Sequence, residues 1–259
     1  MTNNMANKKK LYKDIEEIAI ELKLAGIKNN FEDAAKDACT NDISYEEFLY
    51  KLLEKESVLR YEKSKQNRIR IAKFPYKKYI EDLVIEDLPV DAKKKLKTLS
   101  SLEFIRTGQN VILAGNCGTG KTHISIGLGI KACLAGYKVL FITVSSLINQ
   151  LKESRSQKLL RAIENKFDKY DLIIADELGY ISYDKEGSEL LFSHLSLRTG
   201  RKSTIVTTNL SFERWNEIFK DPIMTAAMVD RLTHKAYIVN MNGNSYRLKE
   251  TKEWLLKQQ

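Results

Sequence analysis

Val111-Ile-Leu-Ala-Gly115-Asn116-Cys117-Gly118-Thr119-Gly120-Lys121-Thr122 is the stretch on which the reading of the fold turns. Four apolar residues predict a short buried strand, and Gly115 to Thr122 satisfies G-x-x-x-x-G-K-[ST] at every specified position. The glycines permit backbone angles that turn successive N–H groups inward, toward phosphate oxygens. The helix predicted to follow (Ile124, Ile126, Leu128, Ile130) adds the positive end of its dipole. Lys121 supplies a cation for the β- and γ-phosphates, and the Thr122 hydroxyl can ligate Mg²⁺. The pattern thus predicts an ATP site with backbone contacts from Asn116, Cys117, Gly118, Thr119 and Gly120. Cys117 reads as a small residue tolerated in the loop and not as a nucleophile.

Outward from this loop the chain alternates short apolar runs with helical patterns. Val139–Thr143, Leu172–Ala175, Thr204–Thr207 and Tyr237–Met241 complete the strand candidates, which predicts a mainly parallel sheet with helices on both faces. The third run continues into Asp176-Glu177. At a strand end after a phosphate loop, Asp176 can hold Mg²⁺ through its water shell and Glu177 can act as general base on water. That placement favours hydrolysis over phosphoryl transfer by a small-molecule kinase. The Thr204 strand should lie beside the Asp176 strand, bringing Asn209 near the γ-phosphate. Arg231, in a helical segment over 224–234, could stabilise transition-state charge from a neighbouring subunit; Arg247 is a further candidate near the nucleotide.

The N-terminal part reads as helical. Leu11, Ile15, Ile18, Leu22 and Ala25 form one apolar stripe, with Gly26 as its stop. Ser44 and Glu47 make a capping box for a second helix limited by Pro75. This gives an N-terminal helical domain over 1–75, a connector over 76–107 with a helix at 92–104, and an ATPase domain over 108–259. The net charge of +9 concentrates between residues 60 and 78, where Arg60, Lys63, Lys65, Arg68, Arg70 and Lys73 are followed by Lys77 and Lys78 against one acid, Glu62. With aromatics interleaved, the segment suits salt-sensitive contact with duplex DNA phosphates, largely without sequence preference. Three cysteines and three histidines without metal-type spacing argue against a disulfide framework or structural zinc. With no apolar run long enough for a bilayer and no secretory h-region, the chain reads as cytoplasmic, with no membrane partner.

The set of motifs resembles the IstB-like helper ATPases of insertion-sequence transposition, relatives of the DnaC helicase loader within the AAA+ class. The resemblance is carried by Gln109-Asn110 before the first strand, Gly120-Lys121-Thr122-His123, and Asp176-Glu177-Leu-Gly179-Tyr180. Thr208-Asn209, Asp230-Arg231-Leu232-Thr-His234 and Ser245-Tyr246-Arg247 complete it. It implies a small helical domain before an AAA+ three-layer αβα core without the usual helical lid. It further implies homo-oligomers formed through ATP-site interfaces, and delivery of target DNA to a partner transposase. By the same likeness Arg231 resembles an arginine finger, Asn209 a first sensor and Arg247 a second-sensor-like arginine. Gln109 and Asn110 would lie near the adenine, and His123 would join the nucleotide site. A replicative helicase loader of the DnaC type is the alternative on the same core. Two departures stand out: Arg198-Thr199-Gly200 where many relatives carry Arg-Tyr-Glu, and Asn116-Cys117 where Pro-Pro is common.

Overall fold

The computed structural model describes residues 2–258, with side chains from Asn7 onward, so the outer ends of the expected domains, Met1 and Gln259, lie outside the described residues. The chain divides into two compact units, Met1–Asn67 and Arg68–Gln259.

The first unit holds α1 (Thr2–Glu21), α2 (Ala25–Thr40) and most of α3 (Tyr45–Ile71). Ser44 caps α3 as its pattern predicts, its Oγ accepting from the Glu47 N–H at 3.2 Å. Gly26 is not the stop of α1. Lys23 takes the left-handed conformation (φ 57°) that ends the helix, and the Leu24 N–H returns to the Ala19 carbonyl at 2.7 Å. Gly26 instead opens α2, a helix the sequence reading passed over. Its N–H and that of Ile27 donate to the buried Glu56 carboxylate at 2.5 and 3.2 Å. A β-carbon at Gly26 would sit 2.7 Å from the Glu56 Cα, so glycine is there for close approach. Glu56 also accepts from Arg60 Nε at 2.6 Å, and Arg60 reaches back to the Lys23 carbonyl at 3.1 Å. Of the expected apolar stripe, Leu11, Ile18 and Leu22 are each more than half exposed within this unit and Ile15 and Ala25 half-buried, while Ala19 and Phe31 are buried.

In the second unit two 3-10 turns (Ile80–Asp82, Ile85–Asp87) lead into α4 (Val90–Ser100) and α5 (Glu103–Arg106). The single helix expected over 92–104 is broken because Leu102 turns left-handed at φ 62° and is itself buried. There follow β1 (Val111–Ala114), α6 (Lys121–Leu134), β2 (Val139–Thr143), α7 (Val144–Ser156), α8 (Leu160–Asp168), β3 (Leu172–Leu178), α9 (Lys185–Arg198) and β4 (Ser203–Thr208). After a 3-10 turn, α10 (Asn216–Phe219), α11 (Pro222–Thr233), β5 (Tyr237–Asn240) and α12 (Tyr246–Leu256) complete the chain.

All five strands join one parallel sheet in the order β2-β3-β4-β1-β5. Alternation within β1 divides its side chains between two cores. Val111 and Leu113 join a cluster with Ile124, Leu128 and Leu96 on one face; Ile112 joins Leu147, Leu191 and Leu232 on the other. All three β1 residues are fully buried, each contributing roughly 2 kcal/mol of apolar burial. Strands covered on both faces must read as near-continuous apolar runs, and these do. The arrangement is a three-layer αβα P-loop NTPase fold. Since the strands are parallel, their C-terminal ends converge on one edge of the sheet, where the phosphate loop lies.

Candidate nucleotide site

The loop between β1 and α6 is anchored at both ends. The Gly115 N–H donates to the Thr208 carbonyl at the tip of β4 (3.1 Å), and Thr119 Oγ1 donates to the Asn116 carbonyl at 2.9 Å. Gly118 (φ 77°) and Gly120 (φ 93°) hold left-handed angles that turn the chain into the first turn of α6. Glycine is required at 118 on a second count: a β-carbon there would collide with the Ser245 hydroxyl. The Tyr246 N–H donates to the Gly118 carbonyl at 2.9 Å, and Ser245 caps α12 by accepting from the Leu248 N–H. The Ser245-Tyr246-Arg247 element therefore braces the phosphate loop. Lys121 Nζ donates to the Gly115 and Asn116 carbonyls, both at 2.6 Å. Burial lowers the Lys121 pKa, against the opposing effects of Cys117 and Asp176.

Across from the loop, β3 carries the two acids on an irregularity. Ala175 pairs with Val206 and Leu178 with Thr208, so three steps along β3 match two along β4. The extra residue is a β-bulge, and Glu177 within it is left-handed at φ 64°. Asp176 is buried and Glu177 exposed. Thr207 holds the bulge: its hydroxyl accepts from the Glu177 N–H at 2.9 Å and donates to Asp176 Oδ1 at 2.6 Å. Thr122 Oγ1 lies 3.2 and 3.3 Å from the two Asp176 oxygens. Burial raises the Asp176 pKa, opposed by the hydrogen bonds from Thr207 and Thr122 and by the Lys121 charge.

A pocket of about 280 Å³ opens beside the loop, lined by Gly118, Thr119, Gly120, Lys121, Thr122 and His123, together with Arg247. His123 Nε2 lies 2.9 Å from the Tyr79 carbonyl. The far wall comes from Tyr76, from Tyr246 and Glu250 of α12, and from residues that the sequence did not mark: Leu83, Val84 and Leu88. Their only sequence signal is an apolar Leu83-Val84 and Leu88 among acids, with no helical or strand period. Thr207 was equally unmarked, since only the strand tip at Thr208-Asn209 drew notice.

Other expected residues lie elsewhere. Asn110 stands at the opposite end of β1 from the loop, fully engaged in the framework: its Oδ1 accepts from the Thr204 N–H at 3.0 Å, and its amide donates to the Leu232 carbonyl at 3.3 Å. Gln109 accepts from Thr107 Oγ1. Neither lines the pocket beside the loop, and the four residues of β1 separate them from the phosphate loop. Asn209 is exposed, directly after the residue that pairs with Gly115. Arg231 is exposed on α11, its guanidinium 4.6 Å over the Phe192 ring and donating to Ser196 Oγ at 3.1 Å, and it does not line the pocket. Of the basic segment, Arg68 donates to the Cys133 carbonyl at 2.7 Å, and Lys65 pairs with Glu62. Lys63, Arg70 and Lys73 are exposed. Arg198 is buried and donates to the Phe167, Tyr170 and Ser203 carbonyls.

Comparison with known proteins agrees with this geometry. The family described as IstB-like ATP binding protein matches residues 17–254. An ATP-binding protein assigned to insertion sequence IS5376 of Geobacillus stearothermophilus is 36% identical over 236 residues, covering 91% of this chain and 94% of that protein. Its counterpart assigned to insertion sequence IS21 of Pseudomonas aeruginosa is 32% identical over 240 residues, covering 93% and 91%. Among solved structures, AMPPCP-bound DnaA from Aquifex aeolicus superposes with a TM-score of 0.52 at 19% identity, over 71% of this chain and 56% of that one. That likeness is one of fold.

Proposed function

The chain belongs to the family of IstB-like ATP-binding proteins, and from that premise we propose that it is a DNA-dependent ATPase that assembles on target DNA and assists a partner transposase. The observation that carries the hydrolytic part is the joined pair of segments: Thr122 at the head of α6 within hydrogen-bond reach of Asp176, and Thr207 tying Asp176 to the Glu177 backbone.

In this reading the loop N–H groups and the Lys121 ammonium grip the β- and γ-phosphates. Thr122 and Asp176 would hold Mg²⁺. The donor set fits a small hard cation: both ligands are oxygens, and among the described residues no cluster of three or more His, Cys, Asp or Glu could hold a metal unaided. Mg²⁺ takes one or two protein ligands and completes its shell with water and phosphate. When bound it neutralises charge on the phosphate oxygens. Glu177, turned out of the strand by the bulge, accepts a proton from the attacking water, and Asn209 beside it orients that water. Arg247 reaches the phosphates from the first turn of α12. Arg231, which does not line its own chain's pocket, serves a neighbouring protomer, so turnover reports assembly. The basic segment contacts DNA phosphates through its cations, with Lys63 and Lys73 among the exposed ones.

Phosphate release is the test, measured with and without duplex DNA. Wild-type protein should bind ATP with Mg²⁺ and turn over faster on DNA. Lys121→Ala should lose nucleotide binding, and with it any ATP-dependent assembly. A rate indifferent to duplex DNA would remove the DNA-dependent reading, and failure of the wild type to bind ATP would remove all of it.

A further inference from the structure

A second cavity, of about 530 Å³, lies along the outer edge of β2 and shares no lining residue with the nucleotide pocket. Its cations come from two places in the chain, Arg70 in the last turn of α3 with Lys73 just beyond it, and Lys166 on α8, and Thr143, Gln150 and Tyr170 add polar groups. No carboxylate lines it. Neither Lys73 nor Lys166 forms an ion pair among the described residues. The wall carrying Lys73 is firmly built: Ala72 is fully buried, its carbonyl accepts from the Phe141 N–H at 2.8 Å, and Phe74 packs on the Phe141 ring at 6.2 Å. Lys73 follows in a left-handed turn at φ 61°.

We propose that this cavity seats the phosphate backbone of duplex DNA, with Lys73 and Lys166 contacting phosphates from its two walls. A concave site lined by one sign of charge concentrates potential and recruits a polyanion. Lysine ammonium groups with nearby hydroxyl and amide donors suit phosphate oxygens and carry no base information. An extended peptide added to the edge of β2 is the competing occupant. It would need a run of free backbone groups, and the Phe141 N–H is already taken by Ala72. The inference rests on the DNA-binding reading above and extends it to α8, which no sequence feature marked.

Anisotropy of a labelled duplex of roughly 30 base pairs, titrated with full-length protein and a non-hydrolysable ATP analogue across a salt series, tests it. Lys166→Glu and Lys73→Glu should each weaken binding by roughly tenfold and make the log–log salt slope shallower by about one. ATP affinity should stay at the wild-type value, which also verifies the fold. Lys166→Gln, a milder change at an exposed position, should weaken binding in the same direction. If wild-type protein binds duplex and Lys63→Glu weakens it while both cavity variants match wild type, the cavity inference falls and the DNA reading stands. No duplex binding by wild type sinks both. A polyglutamate peptide bound through Lys166, with duplex affinity unaffected by that residue, would assign the cavity to an acidic protein partner and overturn the proposal.

Discussion

The two units of this chain solve stability differently. In the unit over 68–259, apolar runs are sealed on both faces, with Val111, Ile112 and Leu113 wholly inaccessible. In the unit over 1–67, Ala19, Phe31 and Leu52 are the buried apolar residues among those described, while Leu11, Ile18, Leu22, Leu49 and Leu53 are exposed. What organises it is a polar post: the Glu56 carboxylate, nearly inaccessible, accepting from two N–H groups of α2 and from Arg60. Those hydrogen bonds and the Arg60 charge lower the Glu56 pKa against the cost of its burial. An apolar stripe therefore marks a helix, but burial needs a second surface to receive it.

Substitutions in each unit can break or sharpen that contrast. The largest effect belongs to the site that the rigid unit supports: Glu177→Gln should leave ATP affinity near wild type and lower phosphate release by about 10²- to 10⁴-fold. A rate unchanged by it would make Glu177 a bystander. Next, Leu113→Ala should cost about 2–5 kcal/mol in urea unfolding, since it opens a void between packed layers. A loss under 1 kcal/mol would mean the sheet relaxes as freely as the N-terminal helices.

His194 gives a pH test of the same packing. The ring is buried against Phe167 and its Nε2 has no partner; desolvation, then the Arg198 charge, pushes its pKa down to about 4. The folded protein keeps the ring neutral where the unfolded chain, titrating near 6.5, binds a proton. Stability is thus fully present above about pH 6.5 and declines as pH falls toward 4, by up to about 3 kcal/mol. Denaturation of wild type and His194→Gln at pH 7.5 and pH 5 should show a smaller acid loss in the variant; equal losses would place the titration elsewhere. Smallest of all, Leu22→Ser should shift stability by less than about 0.5 kcal/mol. A loss like that at Leu113 would show that Leu22 is covered in solution.

Much of the unit over 68–259 was legible because its residues obey local rules. The phosphate loop needs glycine at left-handed positions, and buried parallel strands need apolar runs, so Gly118, Gly120 and all five strands could be read from spacing. Thr207 could not. Its role depends on a one-residue slip between β3 and β4, and register across strands leaves no trace in either segment alone. The pocket wall at Leu83, Val84 and Leu88 was hidden for a related reason: these residues flank two 3-10 turns of three residues each, too short to show an amphipathic period. The framework role of Asn110 was equally hidden, since its hydrogen bonds run to Thr204 and Leu232, far away in the chain.

The slip in β3 has a consequence for how this protein can change. Excising one residue between Ala175 and Leu178 would restore uninterrupted pairing with β4, relieving the left-handed Glu177 and tightening the ladder. The same excision would withdraw the acid from the reaction edge. Under the proposed hydrolysis, a sturdier sheet and turnover make opposite demands at this point along the chain.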